Sequence, residues 1–422
     1  MRERVEELVG LAGGFEFDRV VVCGMGGSSL APLVIGRTFG APLEVLDTTH
    51  PAAVRCLELD GALFVVSSKS GTTVETRCHF DYLWERIGKR PERFLVVTDP
   101  GSALEELARE RGVRFVSGEP TIGGRYSALS AFGLVPAALA GVDVARVLER
   151  AEAMHDACRV ADGNPGLELG LALGSGWEEG RDKVVFGEAG GFGLWLEQLI
   201  AESTGKAGKG LVPAPGESSL GDDRNAVEIE LGDPYDLGAE FFRFELAVAV
   251  AGAVIGINPF DQPDVEEAKE RARTILSSGH GHVRTEGTVP GTVLGTDSGT
   301  VTESVPELLA QAVAGDYVAV QAFVDPAREA DLTPLIDQAR QTGCVVTVCL
   351  GPRFLHSTGQ LHKGGPGTGL FIQVLDDPGD ELAIPGRKFG FRRLIEAQAA
   401  GDYEALVGRG RRVARVRLED IA

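Results

Sequence analysis

The amino-acid sequence predicts an α/β protein built on two doubly wound parallel sheets. Two observations carry that prediction. The layout DRVVVCGMGGSSLAPLVIGRTF, a β-branched strand followed by a glycine turn and a helix pattern, is repeated as DKVVFGEAGGFGLWLEQLIAES. Strand–glycine–helix opens a βαβ unit, so its recurrence points to two similar domains. Further apolar strand-like runs are spaced by stretches long enough for a helix, the arrangement that parallel sheets require.

In the first half the strands are Arg19–Cys23, Leu43–Asp47, Ala62–Ser68, Arg93–Asp99 and Val113–Gly118. These define a first domain over residues 1–145. Residues 146–180 read as a polar helical connector. A second domain over 181–365 has strands at Lys183–Gly187, Ala226–Leu231, Tyr317–Val324 and Cys344–Leu350, with helices at Gly238–Ala253 and Asp264–Leu276. The Gly/Thr/Ser-rich stretch Ser277–Thr302 reads as a long loop. Residues 366–422 read as a C-terminal extension, a helix and a closing strand with a basic cluster.

Composition narrows the function. The 422 residues carry 41 Lys+Arg against 62 Asp+Glu, a net charge of -21. An acidic surface repels nucleic acid and anionic membranes, so neither is an expected partner. An anionic ligand would need a local nest of N–H groups and cations. The six cysteines lack CxxC or metal-type spacing and sit mostly in apolar text, which suits a reduced, cytoplasmic chain. The start, MRERVEELVGLAGG, has no hydrophobic signal core. The longest apolar run, Leu246–Ile257, is 12 residues, too short to cross a bilayer.

Five places could carry chemistry. The loop SSKSGTTVET follows a strand and sets Ser68, Ser70, Thr72 and Thr73 around Lys69 and Gly71. Hydroxyls, an ammonium and the N–H groups of a helix start suit a phosphate dianion, whereas an ordinary cap needs one hydroxyl. In LWLEQLIAES, Trp195, Gln198 and Glu202 share a helix face flanked by leucines. A carboxylate there is costly to bury unless paired or used, so Glu202 is either a general base or a salt-bridge partner. Lys269 lies within the apolar stripe of PDVEEAKERARTIL, as a functional cation or a snorkelling side chain. Arg125 follows two glycines in GGRYSALSAFG, and Arg353, His356 and His362 crowd GPRFLHSTGQLHKGG. The two histidines are six apart, with no nearby acidic or Cys ligand, which favours acid/base or structural roles over metal. The loop GMGGSSLAP does not fill a GxGxxG frame, so no nicotinamide cofactor is expected.

Together, GMGGSSLAP, SKSGTTVET, GGRYSALSAFG, EQLIAESTGK, GINPFDQPDVEEAK and HSTGQLHKGG resemble the phosphoglucose isomerase family, which is built from two sugar-isomerase (SIS) domains. The resemblance implies interconversion of glucose 6-phosphate and fructose 6-phosphate through a cis-enediol(ate), with no cofactor and no metal. A dual phosphoglucose/phosphomannose isomerase and a non-catalytic sugar-phosphate sensor are the alternatives. By position, Ser68, Lys69, Ser70 and Thr73 would hold the phosphate, with Gly27 and Ser28 nearby. Arg125 would neutralise the enediolate, Gln198 would position substrate and Glu202 would move the proton. His356 and Lys269 would open the ring, with His362 the alternative histidine. The resemblance also implies a homodimer in which a neighbouring subunit's histidine completes the site. One departure is that the His-Ser segment follows the Asp-Gln…Lys segment instead of preceding it. That order resembles the isomerase half of bifunctional transaldolase/phosphoglucose isomerase proteins, although the chain has no room for a barrel of ~250 residues.

Overall fold

The computed structural model describes residues 10–11, 14–187, 191–277 and 304–421, and the side chains of 265–269 and 277 are not among those described. Five parallel strands form the first sheet: β1 (Arg19–Cys23), β2 (Leu43–Leu46), β3 (Ala62–Ser67), β4 (Phe94–Thr98) and β5 (Arg114–Ser117), in the order β2-β1-β3-β4-β5. Side chains along a strand alternate between faces, and this sheet buries both. Val20, Val22, Leu63, Val65, Leu95 and Val97 enter one core. Val21, Cys23, Phe64, Val66, Phe94 and Val96 enter another. That is why the strands read as unbroken apolar runs instead of alternating ones.

Strand order reverses between β1 and β3, so the loops leaving their carboxyl ends diverge and open a crevice, the usual ligand position in such sheets. The loop after β1 leads into helix α1 (Leu30–Phe39), and the loop after β3 leads into α2 (Val74–Arg86).

The second half holds two all-parallel strand sets. One is β7-β6-β8, made of β6 (Lys183–Phe186), β7 (Val212–Pro215) and β8 (Arg224–Ala226). The other is β10-β9-β11-β12, made of β9 (Tyr317–Phe323), β10 (Val345–Leu350), β11 (Gly369–Leu375) and β12 (Arg412–Arg417). β7 lies against β10. Residues 366–422 supply β11 and β12, and β11 sits between β9 and β12. The tail is therefore integral to the sheet and not appended to it. Helix α3 (Phe192–Thr204) follows β6, and its Phe192, Trp195, Leu196 and Leu199 share a core with Val20, Val34 and Leu134 of the first half.

The strand expected over Ala226–Leu231 stops at Ala226. Beyond it, helix α4 (Leu237–Ile255) takes the backbone groups. Glu240 accepts from the Glu230 N–H, and Arg243 donates to the Glu228 carbonyl. The connector contains the helices Val144–Ala157 and Pro165–Glu178. In the latter, Gly166, Gly170 and Gly174 face Leu246, Val250 and Val254 of α4. A Cβ at Gly170 would lie 2.6 Å from the Ala247 carbonyl oxygen, so only glycine permits this approach. Helix α5 (Val265–Ser277) matches expectation, while the loop expected over Ser277–Thr302 falls, from residue 278 on, outside the described residues. Helices α6 (Gly359–Gly364) and α7 (Phe391–Gly408) complete the parts that matter for the site. Among the described residues no helix is long and apolar enough to cross a membrane.

Candidate active site

The glycine loop after β1 is where the separate motifs meet. Gly26 adopts φ +55°, and a Cβ there would lie 2.5 Å from the His356 carbonyl oxygen and 2.8 Å from Gln198 Nε2. A Cβ on Gly27 would lie 2.1 Å from the Gly124 carbonyl oxygen and 3.0 Å from the Arg125 nitrogen. These glycines are missing side chains so that three other segments can pack onto the loop. Gly27 is thus tied to the arginine turn. Ser28 is buried in the 3-10 turn Gly26–Ser28.

Helix α3 projects Gln198 and Glu202 from one face, and both are buried. Gln198 Nε2 donates to Glu202 Oε2 at 3.0 Å and to the His356 carbonyl at 2.7 Å. Arg125 Nη1 lies 3.1 Å from Glu202 Oε1. The same guanidinium donates to Ser203 Oγ (2.9 Å), Gln262 Oε1 (3.0 Å) and the Pro259 and Asp261 carbonyls (both 2.8 Å). A guanidinium held at this many points cannot swing away from the carboxylate, so its charge is pre-organised. Lys206 clamps the same loop through the Asn258 carbonyl at 2.7 Å and the Asp261 carboxylate at 2.8 Å. Burial lowers the Lys206 pKa, against the pull of Asp261.

The hydroxyl loop after β3 is internally braced. Ser68 Oγ donates to Thr73 Oγ1 at 3.0 Å and accepts from the Gly71 N–H at 3.2 Å. Ser70 and Thr72 pair at 3.0 Å and are exposed. Thr73 precedes α2, yet no side chain caps that helix, so its first N–H groups face the loop. Lys69 reaches across to the neighbouring strand end. Its ammonium sits 2.5 Å from Asp99 Oδ2 and 2.9 Å from the Glu119 carbonyl. It ties the loop to the residue after β4.

A cavity of about 160 Å3 runs from this loop to His356, and its walls include Ser70, Thr73, Glu75, Arg273 and Gln398. His356 Nε2 lies 2.9 Å from Glu75 Oε1. Glu75 in turn accepts from Gln398 Nε2 at 2.7 Å, and Gln398 accepts from Thr49 at 2.7 Å. A carboxylate fixed from behind orients the imidazole, the arrangement used for proton transfer. His356 and Glu75 thus meet within one chain.

His362 is elsewhere. It is 1% exposed, 2.8 Å from Gln321 and packed between Phe354 and Phe371. Burial drives its pKa well below the usual histidine value, as a neutral core residue requires. The same helix α3 carries a second carboxylate, Glu197, turned away from Glu202. It contacts Cys349 Sγ at 3.6 Å, and burial raises its pKa to about 7. Lys269 lies on α5, and its side chain is outside those described.

Sequence reasoning missed Glu75, Gln398, Ser203 and Lys206. Glu75, Ser203 and Lys206 stand inside quoted motifs, SKSGTTVET and EQLIAESTGK, which is the one signal that could have found them. Gln398 is joined to the site by a partner 323 positions away, which no local spacing shows.

Residues 2–207 match the family model for phosphoglucose isomerase. That span holds the two loops, Arg125, Gln198 and Glu202, and ends before Lys269 and His356. A glucose-6-phosphate isomerase from Gloeothece citriformis is 28% identical over 351 residues, 62% of this chain and 66% of that protein. One from Acaryochloris marina is 35% identical over 214 residues, 45% of this chain and 40% of that protein. A probable glucose-6-phosphate isomerase from Methanococcus maripaludis is 25% identical, across 62% of this chain and 79% of that protein. The crystal structure of a glucose-6-phosphate isomerase from Chlamydia trachomatis aligns with a TM-score of 0.54 at 21% identity, over 66% of this chain and 73% of that one. It shares the fold.

Proposed function

We propose that this chain is an aldose–ketose isomerase that interconverts glucose 6-phosphate and fructose 6-phosphate. The observation that carries the reading is the setting of Glu202. This carboxylate is buried on an apolar helix, held by Gln198 on one oxygen and Arg125 on the other. The matches to phosphoglucose isomerase over residues 2–207 support it.

In this reading the phosphate seats against Ser70, Thr72, Thr73 and the start of α2, and Lys69 holds that loop in shape. His356, oriented by Glu75, moves a proton between the ring oxygen and the C1 hydroxyl to open the sugar. Lys269 on α5 is the second group assigned to that step. Glu202 then removes the C2 proton, and the C1 carbonyl oxygen gains the charge of an enediolate. Arg125 stabilises that oxyanion; one such donor is worth on the order of 3–4 kcal/mol. Transfer of the C2 hydroxyl proton to O1, with return of the carbon-borne proton from Glu202 to C1, gives the ketose, so the carboxylate ends as it began.

A coupled assay for fructose 6-phosphate formation, repeated with mannose 6-phosphate, tests this. Turnover of glucose 6-phosphate alone fits the proposal, and turnover of both makes the enzyme a dual isomerase. Binding of either sugar without turnover would leave a sensor and refute catalysis.

A further inference from the structure

A second cavity, of about 130 Å3, opens at the carboxyl ends of β9, β11 and β12. The order β10-β9-β11-β12 reverses between β9 and β11, so this is the switch-point crevice of the second sheet. Phe323 ends β9 and Leu375 ends β11, and both line the cavity with Ile395 of α7. It is a separate space on another face of that helix, whose Leu394 and Gln398 line the first cavity.

Its charges are unevenly partnered. Arg392 is engaged by Glu396 at 3.0 Å. Asp376 is turned to His50 at 3.2 Å. That leaves two cations from β12. Arg415 is 8% exposed, donates to Gln373 at 2.8 Å, stacks on Tyr403, and forms no ion pair among the described residues. The Arg417 side chain, half-buried, has no hydrogen-bond or ion-pair partner among the described residues. Burying a guanidinium without a carboxylate is costly unless a ligand supplies the charge. Burial lowers the Arg415 pKa only to about 10, so it is charged at neutral pH.

We infer that this crevice binds the phosphate monoester of a short polyol. Two guanidiniums match a dianion, and their planar forks suit phosphate oxygens. Asp377 and Glu396 at the rim can accept hydroxyl protons. The volume lies well under the roughly 300–1,000 Å3 of ordinary ligand sites, which restricts the body to a few carbons. The inference does not depend on the isomerase reading.

Equilibrium dialysis of the full chain with labelled glycerol 3-phosphate tests it, with inorganic phosphate as a second probe. Wild type should bind one equivalent more glycerol 3-phosphate than Arg417→Glu, and Arg417→Gln should weaken that extra equivalent at least tenfold. Glycerol 3-phosphate should bind this extra site at least tenfold tighter than inorganic phosphate. Equal stoichiometry in wild type and Arg417→Glu, at unchanged Tm, would overturn the site. Equal affinity for the two probes would overturn the polyol-ester class. Failure of the isomerase reading would instead remove an equivalent from wild type and variant alike.

Discussion

Helix α3 carries two buried carboxylates with different tasks, and replacing the inner one separates them. Glu197→Gln keeps the shape of a protonated glutamic acid and cannot ionise. In the folded chain burial raises the Glu197 pKa from 4.5 to about 7, against the opposing Cys349 contact and the Arg353 charge. The folded state therefore binds more protons than the unfolded state between those values. Stability must fall as pH rises through that window and level off above it. At 1.36 kcal/mol per pH unit the full effect is on the order of 3 kcal/mol, of which roughly 2.5 kcal/mol falls between pH 5 and 8. Urea unfolding of wild type and Glu197→Gln at both pH values gives the difference directly. The variant should gain that amount relative to wild type on going from pH 5 to pH 8. A gap that stays constant, or that moves against the variant as pH rises, would refute the burial argument.

Three further substitutions probe the site. Glu75→Gln leaves His356 a partner without charge, so kcat should fall roughly 10- to 100-fold with KM within about threefold; steady-state kinetics showing normal kcat would remove the dyad. Thr73→Val deletes a hydroxyl of the bracing pair at the phosphate loop, and loss of about 1.5–3 kcal/mol should raise KM roughly 10- to 100-fold with kcat little changed. An unaltered KM would place the phosphate elsewhere. His362→Gln should lower stability by about 1–3 kcal/mol through its buried bond to Gln321 while sparing kcat. A collapse of kcat at full stability would return His362 to the chemistry.

Much of this was legible in the sequence because short-range rules control it. The strands β1 to β5 follow from β-branched runs, and the loops at their ends follow from glycine and hydroxyl clusters. Glu202 and Gln198 share a face by helix geometry alone. What could not be read depends on contacts distant in sequence. Lys69 looks like a phosphate ligand locally, but Asp99, 30 positions on, takes its charge. The run Ala226–Leu231 has a strand's composition, yet Glu240 and Arg243 satisfy its backbone first. His356 and His362 look alike in the text, and only the cavity on one side and the Phe354–Phe371 packing on the other tell them apart. The tail after residue 365 reads as an appendage because β11 enters the sheet between strands from both sides of it in sequence.

The central claim is that Glu202 carries the proton between neighbouring sugar carbons. Turnover of glucose 6-phosphate in deuterated water, followed by NMR at C1 and C2, tests it most directly. Wild type should incorporate solvent deuterium during isomerisation. Glu202→Gln should lose both incorporation and turnover by at least about a thousandfold, with the phosphate ester still bound. Incorporation at a near-wild-type rate in Glu202→Gln would contradict the account.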